Sequence, residues 1–181
     1  MILYQGKYRI ESARFRDWDY RSRGWYFVTI CARKHACIFG DVADGEIQLS
    51  RVGRIAESEL KSLHMHYNNV QIDSLVVMPN HVHALVAIEG EHCFSPNLSP
   101  PTSSTTADSG CRPPRAGSLS AIIRSYKAGV TRTCGALGLS TCIWQPRFHD
   151  HILRGDAVIS AVRDYIRNNP ANWSKDKENL S

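Results

Sequence analysis

Two histidines stand one residue apart in the stretch "SLVVMPNHVHALVAI", residues 74 to 88. The apolar residues around them are typical of a buried strand, and side chains two positions apart on a strand point to the same face. His81 and His83 can therefore share one metal ion, while Val82 points the other way. Two imidazoles side by side in a core are costly to bury unless each is hydrogen-bonded or bound to metal.

The same spacing occurs twice more, at His64 with His66 and at His149 with His151. The first of these pairs falls in a predicted helix, where residues two apart diverge around the axis. The second lies in an extended segment without a turn or an apolar frame to fix it. The spacing alone is therefore a weak signal, and the strand around His81 is what favours a metal site there.

A tyrosine in "AVRDYIRNNP", Tyr165, is a candidate nucleophile. It continues an apolar helical stripe, so a core tyrosine is the simpler interpretation from the residues alone. Tyr126, in "RSYKAGVTR", is an alternative with the same simpler interpretation. A phenol has a pKa near 10, so either tyrosine is a poor nucleophile unless it meets an activated electrophile or has a nearby proton acceptor.

The bulk composition limits the class of protein. The 181 residues are 43% hydrophobic and 22% charged, which suits one compact domain. A net charge of +5 favours an anionic partner, either nucleic acid or an acidic membrane surface. No apolar run approaches the roughly 18 residues of a membrane span, so we expect a cytoplasmic protein with no membrane partner.

The six cysteines lack C-x-x-C spacing, which predicts reduced, mostly buried thiols rather than a zinc knuckle or redox site.

Several elements must position these residues. The apolar patterns predict a strand over 24–32, a hairpin turning at Asp44-Gly45, a helix from Arg51 to Tyr67, two paired strands joined through Pro79-Asn80, a helix from Leu119 to about Leu137, an extended segment over 143–153, and a helix with Asp156 as N-cap that ends at Pro170. We expect one domain over residues 1–173, with a flexible Ser/Pro-rich loop inserted at about 89–117. A polar tail follows at 174–181, and we expect the last eleven residues to fray.

Three motifs in this order, "VVMPNHVHALV", "WQPRFHDHI" and "AVRDYIRNNP", closely resemble the IS200-like transposases. Within that group they resemble the REP-associated tyrosine transposases, which are single-strand DNA endonucleases of the HUH type. The resemblance covers most of residues 8 to 173, without the loop. It implies an α+β fold, with a ferredoxin-like antiparallel sheet, helices packed on it and the histidine motif on a central strand.

The resemblance also implies an activity and a site. His81, His83 and Asn169 would hold a divalent metal, Mg²⁺ or Mn²⁺, of which Mn²⁺ suits neutral nitrogen and amide ligands better. Tyr165 would attack a phosphodiester of single-stranded DNA that bears REP-like hairpins, leaving a 5′-phosphotyrosine and a free 3′-hydroxyl. The same site could rejoin strands. A nucleoid-associated location when bound to DNA follows, and the sequence does not choose between a monomer and a homodimer.

Basic and aromatic side chains predict the DNA contacts, since a single strand needs its phosphates neutralised and its bases stacked. Arg163 and Arg167 flank Tyr165 at helical spacing, and the helix from Leu119 is expected to present Arg124 and Lys127 outward. The N-terminal arm contributes Arg14, Arg16 and Trp18. A solvated, charged arm is the alternative.

Two other classes of function stay open. One is a nucleic-acid-binding module of the same fold that has lost cleavage or been repurposed, although intact His81, His83, Tyr165 and Asn169 count against it. The other is a metal-dependent hydrolase without a covalent step, in which Tyr165 is only a core residue. A covalent protein–DNA adduct would separate the transposase from both.

Overall fold

The computed structural model describes residues 18–89, 116–176 and 178–179, and the backbone of two short N-terminal strands. The elements in chain order are β1 (Leu3–Tyr4), β2 (Lys7–Tyr8), β3 (Gly24–Cys31), β4 (Gly40–Ala43), β5 (Glu46–Leu49), α1 (Arg51–Lys61), β6 (Val70–Val77), β7 (His81–Ile88), α2 (Leu119–Ala136), β8 (His149–Leu153) and α3 (Asp156–Asn168). Nearly all of the predicted inserted loop lies outside the described residues.

Four strands form the central sheet, in the order β6-β7-β3-β8, and every neighbouring pair is antiparallel. The chain runs β3, α1, β6, β7, α2, β8, which is the β-α-β-β-α-β order of ferredoxin-like domains. The hairpin of β4 and β5 is inserted between β3 and α1. The predicted α+β class and ferredoxin-like sheet are confirmed, and the histidine strand β7 is central.

Both faces of the sheet are covered, and β7 shows this most clearly because all eight of its residues are buried. Val82, Ala84 and Val86 lie in the larger core, with residues of α1 and α2. Leu85 lies in a second cluster on the opposite face, with residues of α3. Since side chains alternate along a strand, His81 and His83 share the α3 face with Leu85.

Local signals explain where most elements begin and turn. Ser50 caps α1, its hydroxyl accepting a hydrogen bond from the Gly53 amide at 3.0 Å, and Ser118 caps α2 in the same way. At the predicted hairpin turn, Asp44 and Gly45 have φ values of 53° and 77°, the left-handed region that a tight turn requires.

Three sequence predictions about the helices are wrong. The first helix ends at Lys61 and continues as a 3₁₀ turn over Ser62–Met65, not as an α-helix to Tyr67. Gly155, with φ of 88°, is the N-cap of α3, and Asp156 is the first residue of the helix. The helix dipole still stabilises a carboxylate at that position. Residues Pro170–Lys175 form a 3₁₀ helix that continues from α3, so this part of the chain does not fray.

Among the residues that the structure describes, no helix has the length and apolar character needed to cross a membrane. The four described cysteines are free thiols. Two of them, Cys31 and Cys134, are buried, while Cys37 and Cys142 are exposed, so the prediction of mostly buried thiols holds for only half of them.

Candidate active site

The two strand histidines point to the same face of the sheet, as predicted, and α3 covers that face. Their Nε2 atoms lie 3.0 Å apart, and the rings are 0% and 3% exposed for His81 and His83 respectively. They are fixed because β7 is flanked on both sides, with His81 opposite Cys31 and His83 opposite Thr29 on β3. The strand frame, rather than a flexible loop, sets the separation of the two nitrogens.

The Nδ1 atoms of both histidines have side-chain partners, which orient the rings so that the Nε2 atoms face each other. His81 Nδ1 lies 2.8 Å from Asn80 Oδ1, and the Asn80 amide group donates its own hydrogen bond to the Glu178 carbonyl at 2.7 Å. Since an amide oxygen only accepts, the His81 proton sits on Nδ1 and the Nε2 lone pair faces His83. Thr29 Oγ1 contacts His83 Nδ1 at 2.9 Å. Such outer partners are typical of metal-binding histidines.

Both imidazoles are neutral near pH 7. Burial lowers the pKa of His81 to about 4, against a smaller opposite effect of the Asp176 carboxylate. Burial, and then repulsion from His81, lowers the pKa of His83 to about 3. Two neutral nitrogens 3.0 Å apart are stable only with a proton or a cation between them, and a neutral imidazole is the form that binds metal.

Helix α3 brings Tyr165 over this pair. The tyrosine hydroxyl is 3.4 Å from His83 Nε2 and donates a hydrogen bond of 3.3 Å to Asp176 Oδ2. Phe27 packs edge-on against the Tyr165 ring and contacts the His83 ring as well. The tyrosine is 45% exposed, so it is not the core residue that its position on the apolar stripe favoured.

Asn169 lies one helical turn after Tyr165 and is buried, at 2% exposure. Its Nδ2 group donates to Asp176 Oδ2 at 2.8 Å. Its Oδ1 atom is buried and has no hydrogen-bond partner within the described part of the chain. An orphaned buried amide oxygen is unusual, and an oxygen of this kind is a good ligand for a hard divalent cation.

Asp176 is the site residue that the sequence did not indicate. It follows the 3₁₀ helix after Pro170, and its Oδ2 atom lies 4.0 Å from His81 Nε2. Burial alone would raise the pKa of Asp176, but hydrogen bonds from the Glu178 amide and from Asn169 outweigh burial and lower it. The site thus holds a carboxylate that is ionised at neutral pH.

These residues fit a divalent cation. His81, His83 and Asp176 form a group whose potential ligand atoms all lie within 4.8 Å of one another. Adjacent ligands of an octahedral ion with bonds near 2.1 Å lie about 3.0 Å apart, which matches the separation of the two Nε2 atoms. A set of two nitrogens, a carboxylate and an amide oxygen suits Mn²⁺ and accepts Mg²⁺.

Comparison with known proteins places this site in context. No protein-family model matches the chain. An uncharacterised protein of Haemophilus influenzae is 30% identical over 175 residues, which are 95% of this chain and 94% of that protein, so the two belong to one family. A solved structure of a REP-associated tyrosine transposase bound to a REP hairpin superposes with a TM-score of 0.58, covering 92% of this chain and 77% of the other at 20% identity. The chain has the fold of a REP-associated tyrosine transposase. The predicted resemblance is confirmed for the fold.

On this transposase fold, the two arginines of α3 differ in their surroundings. Arg163 forms a bidentate ion pair with Asp73, with both bonds at 2.8 Å, and lies over the Trp25 ring. It therefore attaches α3 to the sheet, and its guanidinium is already engaged. Arg167 is largely exposed and pairs with its helix neighbour Asp164, so its guanidinium is accessible to a phosphate.

The residues predicted on the second helix lie across the sheet from Tyr165. Arg124 is exposed, as predicted. Lys127 does not point outward as expected, because its ammonium group donates to the backbone carbonyls of Gln145 and Arg147. Burial lowers the pKa of Lys127 to about 8. Its position ties the segment before β8 to α2, which is a structural role.

The N-terminal arm is described only in part. Arg14 and Arg16 lie outside the described residues. Trp18 is half-buried, donates to the Tyr26 hydroxyl at 3.1 Å and stacks with the Arg154 guanidinium. Its indole therefore packs on the domain, and only a part of it is free to meet a base.

Tyr126, the alternative nucleophile, is buried between α2 and α1, where its hydroxyl donates to the Ala56 carbonyl. Burial raises the pKa of its phenol, so Tyr126 is neither accessible nor acidic enough to react. The pairs at His64 and His149 belong to no group of three potential ligands among the described residues. Of the two candidate nucleophiles, Tyr165 is therefore the one that lies beside the histidine pair.

Proposed function

We propose that the protein is a metal-dependent transposase of the HUH type that nicks and rejoins single-stranded DNA through a 5′-phosphotyrosine intermediate. The observation that carries this proposal is the position of Tyr165, whose hydroxyl lies 3.4 Å from His83 within a group of potential metal ligands. A nucleophile next to a cation site is the arrangement that phosphoryl transfer needs.

The proposed substrate is single-stranded DNA that carries REP-like hairpins. The solved transposase with the same fold is bound to a REP hairpin. The net charge of +5 favours a polyanion over a neutral substrate. Among the described residues predicted to contact DNA, Arg167 is largely exposed and lies on the same helix as Tyr165.

The proposed ligands of the cation are His81, His83, Asn169 and, added to the predicted set, Asp176. A divalent ion, Mn²⁺ or Mg²⁺, would withdraw charge from the scissile phosphate and so make phosphorus more reactive. The protein's own part is to hold the ligands in a rigid frame. Strand β7 fixes the histidines, and α3 with the following 3₁₀ turn fixes the two oxygen donors.

In the proposed reaction, the Tyr165 oxygen bonds to phosphorus while the bond from phosphorus to the 3′ oxygen breaks. The tyrosine proton passes to Asp176, which already accepts the hydroxyl hydrogen bond. The departing 3′ oxygen takes up a proton from solvent and leaves as a hydroxyl, and Asp176 releases its proton to solvent. The tyrosyl ester conserves the phosphodiester, so attack by a 3′-hydroxyl reverses the step and joins strands.

Tyr165 alone is a poor nucleophile. Burial, and then the charge of Asp176, raise the pKa of its phenol above the ordinary value of 10. The hydroxyl therefore stays protonated near pH 7 until an electrophilic phosphate is beside it. Because Tyr165 reacts only beside an electrophilic phosphate, nicking is limited to DNA that is correctly placed in the site.

The test is incubation of the purified protein with hairpin oligonucleotides from the flanks of its own gene and Mn²⁺, followed by denaturing electrophoresis. We expect a shifted, denaturation-resistant band that chelator and Tyr165→Phe both abolish, with DNA binding retained. The matched control Tyr126→Phe keeps the adduct. Binding without adduct or cleavage would favour a binding module, and cleavage without adduct would favour a hydrolase.

A further inference from the structure

A second group of potential metal ligands lies beside the first, close to the partners that orient His81. Cys31 ends strand β3, His35 ends a 3₁₀ turn over Arg33–His35, and Glu178 lies near the C-terminus. One ligand atom from each lies within 4.8 Å of the other two. None of the three has a part in the proposed DNA chemistry.

The separations of these atoms match a tetrahedral ion. Glu178 Oε2 is 3.5 Å from Cys31 Sγ and 3.4 Å from His35 Nδ1. Adjacent ligands of tetrahedral zinc, with bonds of about 2.0 to 2.3 Å, lie about 3.3 to 3.6 Å apart. Both observed separations fall in that range, so little movement is needed to bind an ion.

The chemistry of the donors, and the burial of Cys31, also favour a cation. Cys31 is 4% exposed, and a thiolate with an imidazole and a carboxylate is a ligand set typical of Zn²⁺ rather than Mg²⁺. His35 Nδ1 is shielded from solvent, and it makes no hydrogen bond in the parts of the chain described; its contact with Glu178 lacks hydrogen-bond geometry. A buried imidazole nitrogen without a partner is costly unless a ligand satisfies it.

We propose that Cys31, His35 and Glu178 bind one zinc ion, which anchors the C-terminal segment against the active site. As the sulfur coordinates, the thiol proton is released to solvent. The Glu178 carbonyl accepts from Asn80, and the Glu178 amide donates to Asp176 Oδ1 at 2.8 Å. Holding Glu178 therefore holds both Asn80, which orients His81, and Asp176.

The test uses the purified full-length chain, with zinc content measured by mass spectrometry and Co²⁺ as a spectroscopic replacement. We expect one tightly bound zinc per chain and, with Co²⁺, the near-ultraviolet charge-transfer band of a thiolate ligand. Cys31→Ser and His35→Ala should lose the thiolate band and the zinc that is bound at this site. The matched control Cys37→Ser, at an exposed thiol, should keep both.

Two further variants keep the result interpretable. The double variant His81→Ala/His83→Ala should retain the thiolate band, because the band reports only the cysteine site. Glu178→Gln, near the chain end, should weaken zinc binding by about tenfold or more without disturbing β3. The proposal is overturned if the wild-type chain shows no thiolate band, or if adding Cys31→Ser or Glu178→Gln to the His81→Ala/His83→Ala variant leaves its zinc affinity unchanged.

Discussion

Asp176 is the residue that adds most to the site beyond the histidine pair, because it brings a negative charge to otherwise neutral ligands. Its Oδ2 atom receives hydrogen bonds from both Tyr165 and Asn169. A carboxylate in this place raises cation affinity through charge and also offers the phenol a proton acceptor. Charge and geometry at this one position therefore affect both binding and chemistry.

We expect Asp176→Asn to weaken Mn²⁺ binding by about ten- to a hundred-fold, since the substitution removes the charge and keeps the shape. Isothermal titration of the free protein with Mn²⁺ measures the change. Asp164→Asn is the matched control, because Asp164 is exposed and pairs with Arg167 rather than with a residue of the cation site. Equal Mn²⁺ affinities for the wild type and Asp176→Asn would remove Asp176 from the cation site.

At the scale of elements, the position of α3 decides whether the tyrosine reaches the histidines. Ile159 and Ile166 pack the helix on the sheet, and the Arg163–Asp73 pair adds a polar contact at an irregularity in β6. The pair is partly exposed, so its contribution to stability is small, but its bidentate geometry specifies orientation.

We therefore expect Arg163→Ala to slow adduct formation while leaving DNA affinity nearly unchanged, because the helix loses its orientation and not a DNA contact. Asp73→Asn should have the same effect from the other side of the ion pair. Arg167→Ala should instead weaken DNA binding, more so at low salt. Oligonucleotide binding by fluorescence anisotropy, measured beside adduct rates, separates the two effects. A large loss of affinity in Arg163→Ala and Asp73→Asn alike would refute the orienting role.

The sequence predicted the elements whose signals are local. The apolar run around His81 and the stripe around Tyr165 each lie within one element, so the strand and the helix followed from the residue pattern. The stripe itself favoured a buried Tyr165, and the role of this tyrosine came from the family resemblance. The place of Asp176 in the site could not be predicted, because a polar segment after a proline carries no periodic signal and its position depends on packing. The roles of Arg163 and Lys127 were missed for the same reason, since their partners lie 90 and 18 positions away.

At the scale of the whole molecule, helices on both faces of the sheet bury the histidine pair and make it sensitive to acid. The pKa values of His81 and His83 lie near 4 and 3 in the folded protein, below the ordinary 6.5 of an unfolded chain. The unfolded state therefore takes up protons first, and folding stability falls as the pH drops below about 6.5. The pKa of Asp176 is lowered, so that carboxylate changes charge only at still lower pH.

We expect the free energy of unfolding, measured by denaturant titration without divalent metal, to fall between pH 7 and pH 5 by about 2 kcal/mol for each of the two histidines. Replacing His83 with Phe should remove about half of this dependence. Saturating Mn²⁺ should raise stability at pH 7, since it binds only the folded state. An identical pH dependence in His83→Phe and the wild type would contradict the burial of a neutral imidazole.

The most direct test of the proposed chemistry is mass spectrometry of the protease-digested protein after reaction with Mn²⁺ and a hairpin-bearing single strand. The proposal predicts one modified peptide, carrying a 5′-linked nucleotide on Tyr165. It also predicts that this species is absent after chelation and in Tyr165→Phe. A nucleotide linked to another residue, or strand cleavage with no linked nucleotide at all, would contradict it.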